Sequence, residues 1–145
     1  MQFFQRSAIS GLSLGMDVPY LYRSLVFGAV CGLYRLIEGF EKQEIDIEKV
    51  IAVGGISKKS PYVMQMLSDL SGREIYILDS DQTCAQGAAM YAVVGAGIYE
   101  TLEVAAEHMA AKCIKIYKPD SEKKDWYKKH YQEYLKLAEA VNKLS

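Results

Sequence analysis

The stretch Ile51-Ala52-Val53-Gly54-Gly55-Ile56-Ser57-Lys58-Lys59-Ser60-Pro61 constrains the fold more than any other part of the chain. A β-branched run that begins at Lys49 and Val50 stops abruptly at two glycines, the pattern of a strand buried on both faces that enters a tight turn. Ser60 then supplies an N-cap and Pro61 a first helical residue, and Met64, Leu67 and Leu70 recur at helical spacing until Gly72 stops the helix. Glycines in such a turn permit positive φ and let backbone come close to a phosphate or ribose, while free N–H groups at the following helix start favour an anion. On its own a Gly-Gly pair after a strand is more often an ordinary βα turn. The Walker A spacing and the Gly-x-Gly-x-x-Gly fingerprint are both missing, which removes those two nucleotide-binding classes.

The neighbouring segments extend the same alternation. Residues 8–14, with Ile9, Leu12 and Leu14 among small residues, read as a short strand ended by Gly15 and Pro19. Over residues 20–42, Leu21, Leu25, Ala29, Leu33, Leu36, Ile37 and Phe40 recur with helical period, so a long amphipathic helix is expected with that stripe inward. Gly28 and Gly32 lower its propensity and offer a place for a neighbour to come close. Residues 74–78 read as a further strand. Residues 83–96 read as a small-residue helix with Thr83 and Gln86 spaced as a capping box, Gly97 at its end, and Gly87, Ala88 and Ala89 packed closely on the sheet. Thr101 caps a helix through about Lys112, and residues 121–143 form a last one with Tyr127, Tyr131, Tyr134, Leu135 and Ala138 on one face. Its lysines Lys123, Lys124, Lys128 and Lys129 are interleaved with Glu122, Asp125 and Glu133 and read as a solvated face. Three strands between helices make an α/β unit with a few-stranded sheet, and so small a sheet leaves edge and face to cover.

A chain of 145 residues, 50% of them apolar, suits one domain over residues 1–145. Seventeen Lys and Arg against eighteen Asp and Glu leave a formal charge of −1, which gives no electrostatic case for nucleic acid or a membrane surface. Cys31, Cys84 and Cys113 are far apart and each sits among apolar residues, so buried free thiols of a cytoplasmic protein are expected rather than disulfides. His108 and His130 form no ligand cluster, so no metal site is assigned. The opening Met1 to Arg6 has no signal-peptide pattern, and Arg23, Arg35 and Glu38 interrupt the longest apolar region before it reaches the length of a membrane span.

Taken together, Gly54-Gly55, Lys59-Ser60-Pro61, Met64-Gln65, Asp69, Gly72, Asp81-Gln82-Thr83-Cys84-Ala85, Gly87-Ala88-Ala89 and Ala96-Gly97-Ile98-Tyr99 resemble the C-terminal domain of the FGGY family of carbohydrate kinases. The resemblance begins at Ile9-Ser10-Gly11-Leu12-Ser13-Leu14-Gly15 and Arg23 and runs into the tyrosine-rich tail. The Lys59-Ser60-Pro61 and Gln82-Thr83-Cys84-Ala85 stretches look most like ribulokinases, with xylulokinases next.

The resemblance implies the C-terminal half of an actin/hexokinase-like (ribonuclease H-like) ATPase domain. It also implies transfer of the γ-phosphoryl group of ATP, with Mg²⁺, to the hydroxyl of a pentulose such as ribulose or xylulose. Gly54 and Gly55 would lie against ribose and phosphates, with Lys59 and Ser60 beside the adenosine. The aspartate that takes the sugar proton belongs to family sequence upstream of the matched region. No catalytic residue is therefore assigned here, the chain alone is expected to be inactive, and an uncovered surface is expected to drive self-association. The alternative is a noncatalytic nucleotide-binding or interaction module of the same fold.

Four positions depart from the family pattern: Phe27 stands where Glu is frequent, Met16 and Asp17 where small hydroxyl residues are, and Gln86 where Leu is usual. Asp17, Asp69, Asp79 and Asp81 each suit a turn, a cap or a solvated surface, and none is assigned catalysis.

Overall fold

The computed structural model describes residues 7–143, so the Met1 to Arg6 stretch lies outside the described residues. The elements are α1 (Val18–Glu41), β1 (Val50–Ala52), α2 (Gly55–Lys59), α3 (Pro61–Ser71), β2 (Ile75–Leu78), α4 (Thr83–Gly95), α5 (Leu102–Met109), β3 (Cys113–Tyr117) and α6 (Lys124–Lys143). The sheet order is β1-β2-β3, with β1 parallel to β2 and β3 antiparallel to it. Ile51 stands opposite Tyr76, and Tyr76 opposite Ile116.

Local chemistry accounts for the helix ends. Asp17 Oδ1 accepts from the Tyr20 N–H at 2.8 Å and caps α1. Pro61 opens α3, and Gly72, at φ +67°, closes it in the left-handed conformation. After α4, Gly97 at φ +72° and Ile98 donate back to Val94 and Val93 at 3.0 and 2.9 Å, so the last carbonyls are satisfied.

The core lies between α1, α3, α6 and one sheet face, around Val30, Cys31, Tyr34, Leu67, Leu70, Ile75, Ile77 and Tyr131. Tyr131 donates to Glu38 at 2.6 Å and meets Tyr34 edge-on with centroids 4.9 Å apart, which seats α6 on α1. Lys128 lies 4.2 Å above the Tyr34 ring and donates to its hydroxyl. The face of α6 expected from sequence is thus the one that packs.

Several expectations are corrected. Residues 8–14 form no strand, because among the described residues no ladder partner lies beside them. The third strand is β3, in a segment with no element expected from sequence. Strand β1 is covered on one face only: Ile51 is 49% exposed, and with Ile116 it lies on the side away from α3. Helix α1 buries Val30, Cys31 and Tyr34, while Leu25, Leu33, Leu36 and Phe40 of the expected inner stripe stay exposed. The helix carries two apolar stripes, and α3 with α6 covers only the one through Val26, Val30, Tyr34 and Ile37. Gly32 does meet a neighbour, since a Cβ there would lie 3.8 Å from the Tyr134 hydroxyl, but Gly28 has open space. Of the cysteines only Cys31 is buried; Cys84 and Cys113 are exposed.

Candidate nucleotide site

The parallel strands β1 and β2 end in adjacent turns, and in α/β sheets ligands collect at the carboxyl ends of such strands. After β1 the chain passes Val53 to Gly54, whose φ of +88° and ψ of 178° are accessible essentially to glycine alone. Gly55 then opens the short α2. A Cβ built on either glycine meets nothing within 4 Å, so both backbones face open space. The turn is pinned from beneath by Ser57, which is buried and whose hydroxyl and N–H both donate to the Gly54 carbonyl, at 2.7 and 3.2 Å.

The other two expected site residues lie close by with different surroundings. Lys59 ends α2 and is exposed. Ser60 joins α2 to α3: its N–H donates to Ile56 at 3.0 Å and its carbonyl accepts from Met64 at 3.3 Å. It occupies the N-cap position of α3 as expected, yet its hydroxyl makes no capping bond. Gly54, Gly55, Lys59 and Ser60 thus lie along one short stretch from the end of β1 through α2 to the start of α3, with open space beside the two glycines. A hollow of about 440 Å³ lies elsewhere, between residues 8–12, α1 and α6.

Lys58, passed over in the sequence, dominates the local electrostatics. Its ammonium is 2.9 Å from Asp81 Oδ1 and 3.3 Å from Asp79 Oδ1, so it spans from α2 to the turn after β2. The hydrogen bond to Asp81 is the main cause that raises the Lys58 pKa, and the same bond holds the Asp81 carboxyl below its usual range. Among the described residues no three His, Cys, Asp or Glu side chains converge, so these side chains alone do not make a Mg²⁺ cage.

The turn after β2 departs from expectation at its helix start. Gln82, not Thr83, is the N-cap, so there is no capping box; Gln86 instead donates to the Met109 carbonyl at the end of α5. Among the described residues the buried Thr83 hydroxyl has no hydrogen-bond partner. Helix α4 buries no residue and packs on α5 rather than on the sheet, and the space beside Gly87 is open. Close helix-to-sheet packing of Gly87, Ala88 and Ala89 is therefore not found.

Residues 4–96 match the description FGGY family of carbohydrate kinases, C-terminal domain. The chain belongs to that family. This FGGY domain is 37% identical over 140 residues to a ribulokinase from Vibrio parahaemolyticus, covering 97% of this chain and 25% of that protein. A ribulokinase from Shouchella clausii is likewise 37% identical over 133 residues, covering 89% of this chain and 24% of that protein. The fold matches xylulose kinase from Rhodospirillum rubrum with a TM-score of 0.83 at 20% identity, over 97% of this chain and 28% of that one. It matches Plasmodium falciparum glycerol kinase with ADP with a TM-score of 0.74 at 22% identity, over 94% and 27%. At such identities the likeness establishes the fold: the α/β C-terminal part of an actin/hexokinase-like kinase domain. The chain spans about a quarter of the length of the curated relatives it matches.

The departures from the family pattern have local uses. Phe27 packs against Trp126 and Tyr127, with centroids 6.1 and 5.9 Å away. Asp17 caps α1 and Gln86 ties α4 to α5, so two of these substitutions buttress helices away from the glycine turn. Asp69 is buried rather than solvated: it accepts from Gln65 Nε2 at 2.7 Å and from the Asp120 N–H at 2.9 Å, anchoring the chain after β3 to α3.

Proposed function

We propose that this FGGY domain forms the nucleotide-facing C-terminal part of an ATP-dependent kinase that phosphorylates ribulose, xylulose or a similar sugar in the cytoplasm. The observation that carries the reading is the Gly54-Gly55 turn, open on its outer side at the carboxyl end of a parallel strand. Phosphoryl transfer of this kind rests on positioning and charge stabilisation, so the contribution of these residues is to hold the nucleotide. Backbone at Gly54 and Gly55 approaches the ribose and phosphates, and Lys59 and Ser60 lie on the rim for the adenosine side. Mg²⁺, bound mainly through nucleotide phosphates and water, would neutralise phosphate charge. The sugar site and the base that accepts the sugar proton come, in this reading, from sugar-kinase polypeptide outside residues 1–145, and this chain alone does not turn over.

The names of the relatives, ribulokinases and sugar kinases, support the reading, as does a matching glycerol kinase solved with ADP. Titrating ADP into the chain tests it. Saturable binding at millimolar ADP or below is expected; none by a chain that melts cooperatively would contradict a retained pocket. Exposed apolar groups such as Ile51, Leu33, Leu36 and Phe40 also support self-association of the chain by itself, with a mass above the monomer in light scattering.

A further inference from the structure

Two turns form the rim of the proposed nucleotide site, and they are held together unequally. At their base they are joined by the pairing of Ala52 with Ile77 in adjacent strands. At their outer ends, among the described residues, Lys58 makes the hydrogen bonds and ion pairs that join them, reaching Asp79 and Asp81 across 21 and 23 residues of sequence. The far turn is itself anchored, because the Asp79 N–H donates to the Lys112 carbonyl at 2.8 Å. The near turn has no side-chain packing of its own, since a Cβ at Gly54 or Gly55 would touch nothing. Glycine backbone with open space around it is the most permissive backbone in the chain, yet a ligand held by backbone groups binds best when those groups are fixed beforehand. Ser57 restrains the turn from below, and Lys58 is the restraint at its side.

We infer that Lys58 is a positioning residue: clasped by Asp79 and Asp81, it holds the Gly54-Gly55 turn in the conformation that receives the nucleotide, and it acts through that turn rather than by touching phosphate. The inference rests on the nucleotide reading of this site and assigns it a specific support. Two carboxylates already neutralise the one ammonium, so Lys58 has little charge left to offer a polyphosphate, whereas Lys59 is exposed on the same short helix. The clasp is largely solvent-exposed, with the Asp81 side chain at 84%, so it contributes little to global stability and its influence is local and screened by salt.

The test compares Asp79→Asn/Asp81→Asn, Lys58→Gln and the triple variant with the unchanged chain, by amide hydrogen exchange without ligand at Ser57, whose N–H closes the turn on the Gly54 carbonyl, and by ADP titration. Melting temperatures should stay the same. Exchange at the Ser57 amide should quicken in every variant, and the ADP dissociation constant should rise about two- to fivefold, the scale of an exposed ion pair. The triple variant should lose no more than Lys58→Gln alone, because all act on one contact. At 1 M salt, where screening shortens to ~3 Å, the difference in affinity should largely vanish. Tighter ADP binding by the Asp79→Asn/Asp81→Asn variant would overturn the inference, since it would mean that a released Lys58 grips phosphate directly. Unchanged exchange at the Ser57 amide would overturn it as well. The exchange measurement needs no nucleotide, so failure of the unchanged chain to bind ADP would count against the site reading and leave the clasp to be judged separately.

Discussion

Helices α3 and α4 each follow a turn at the carboxyl end of a parallel strand, yet α3 buries Met64, Met66, Leu67, Ser68, Asp69 and Leu70 while α4 buries nothing. The sequences that make them share the same local signals: a polar turn, an apolar helix and a glycine stop. The difference lies in what surrounds them. Helix α3 is enclosed by α1, α6 and the sheet, whereas α4 meets chiefly α5. Local signals decide whether a helix forms, and tertiary cover decides whether that helix carries the stability of the fold. The glycine turn, between β1 and α3, draws its firmness from the enclosed side and its openness from the other.

The contrast can be broken most directly at Leu70, which is fully buried. Leu70→Ala should cost about 2–5 kcal/mol in urea unfolding, the transfer and cavity terms of a deleted core side chain. A loss below about 1 kcal/mol would deny α3 its central place. Next, Asp69→Ala should cost about 1–3 kcal/mol, because it removes the acceptor of the Asp120 N–H and one of the two acceptors of the Gln65 amide, which keeps the Lys118 carbonyl. Asp69→Asn, which keeps an oxygen acceptor, should cost less.

A third effect separates the two regions by their thiols. Burial pushes the Cys31 thiol from 9.0 up to about 12, and the fold favours its neutral form. The stability it supports is therefore complete below pH 9 and is lost as pH rises toward 12, which alkaline unfolding curves will show. Alkylation of the native protein followed by mass spectrometry should label exposed Cys84, on α4, and Cys113, and should spare Cys31 until the chain unfolds. The smallest effect belongs to α4: Tyr91→Ala, at a side chain 69% exposed, should change stability by no more than about 0.5 kcal/mol.

What was legible in the sequence follows the same division. Asp17, Pro61, Gly72 and Gly97 act within a few residues of themselves, and their caps and stops stand in the structure where the residue types place them. Strand pairing is not local in this way. The alternating Cys113-Ile114-Lys115-Ile116-Tyr117 had a strand signal, but its ladder partner lies in β2, and residues 8–14 had a signal without a partner among the described residues. Periodicity also showed that α1 is apolar without showing which of its stripes would be covered. At the candidate site, Gly54 and Gly55 could be read directly because a strand running into paired glycines is a local event. Lys58 could not, since its partners become neighbours only once β1 and β2 lie side by side.

The central claim, that open backbone at the glycine turn is where a nucleotide lies, is tested most directly by ADP titration of Gly55→Val. Gly55 does not adopt a positive φ and its Cβ position is empty, so the variant should melt at the temperature of the unchanged chain. Its side chain would nevertheless occupy the ligand's place, and ADP affinity should fall about tenfold or more. ADP binding that survives the substitution unchanged, in a variant that folds normally, would contradict the account.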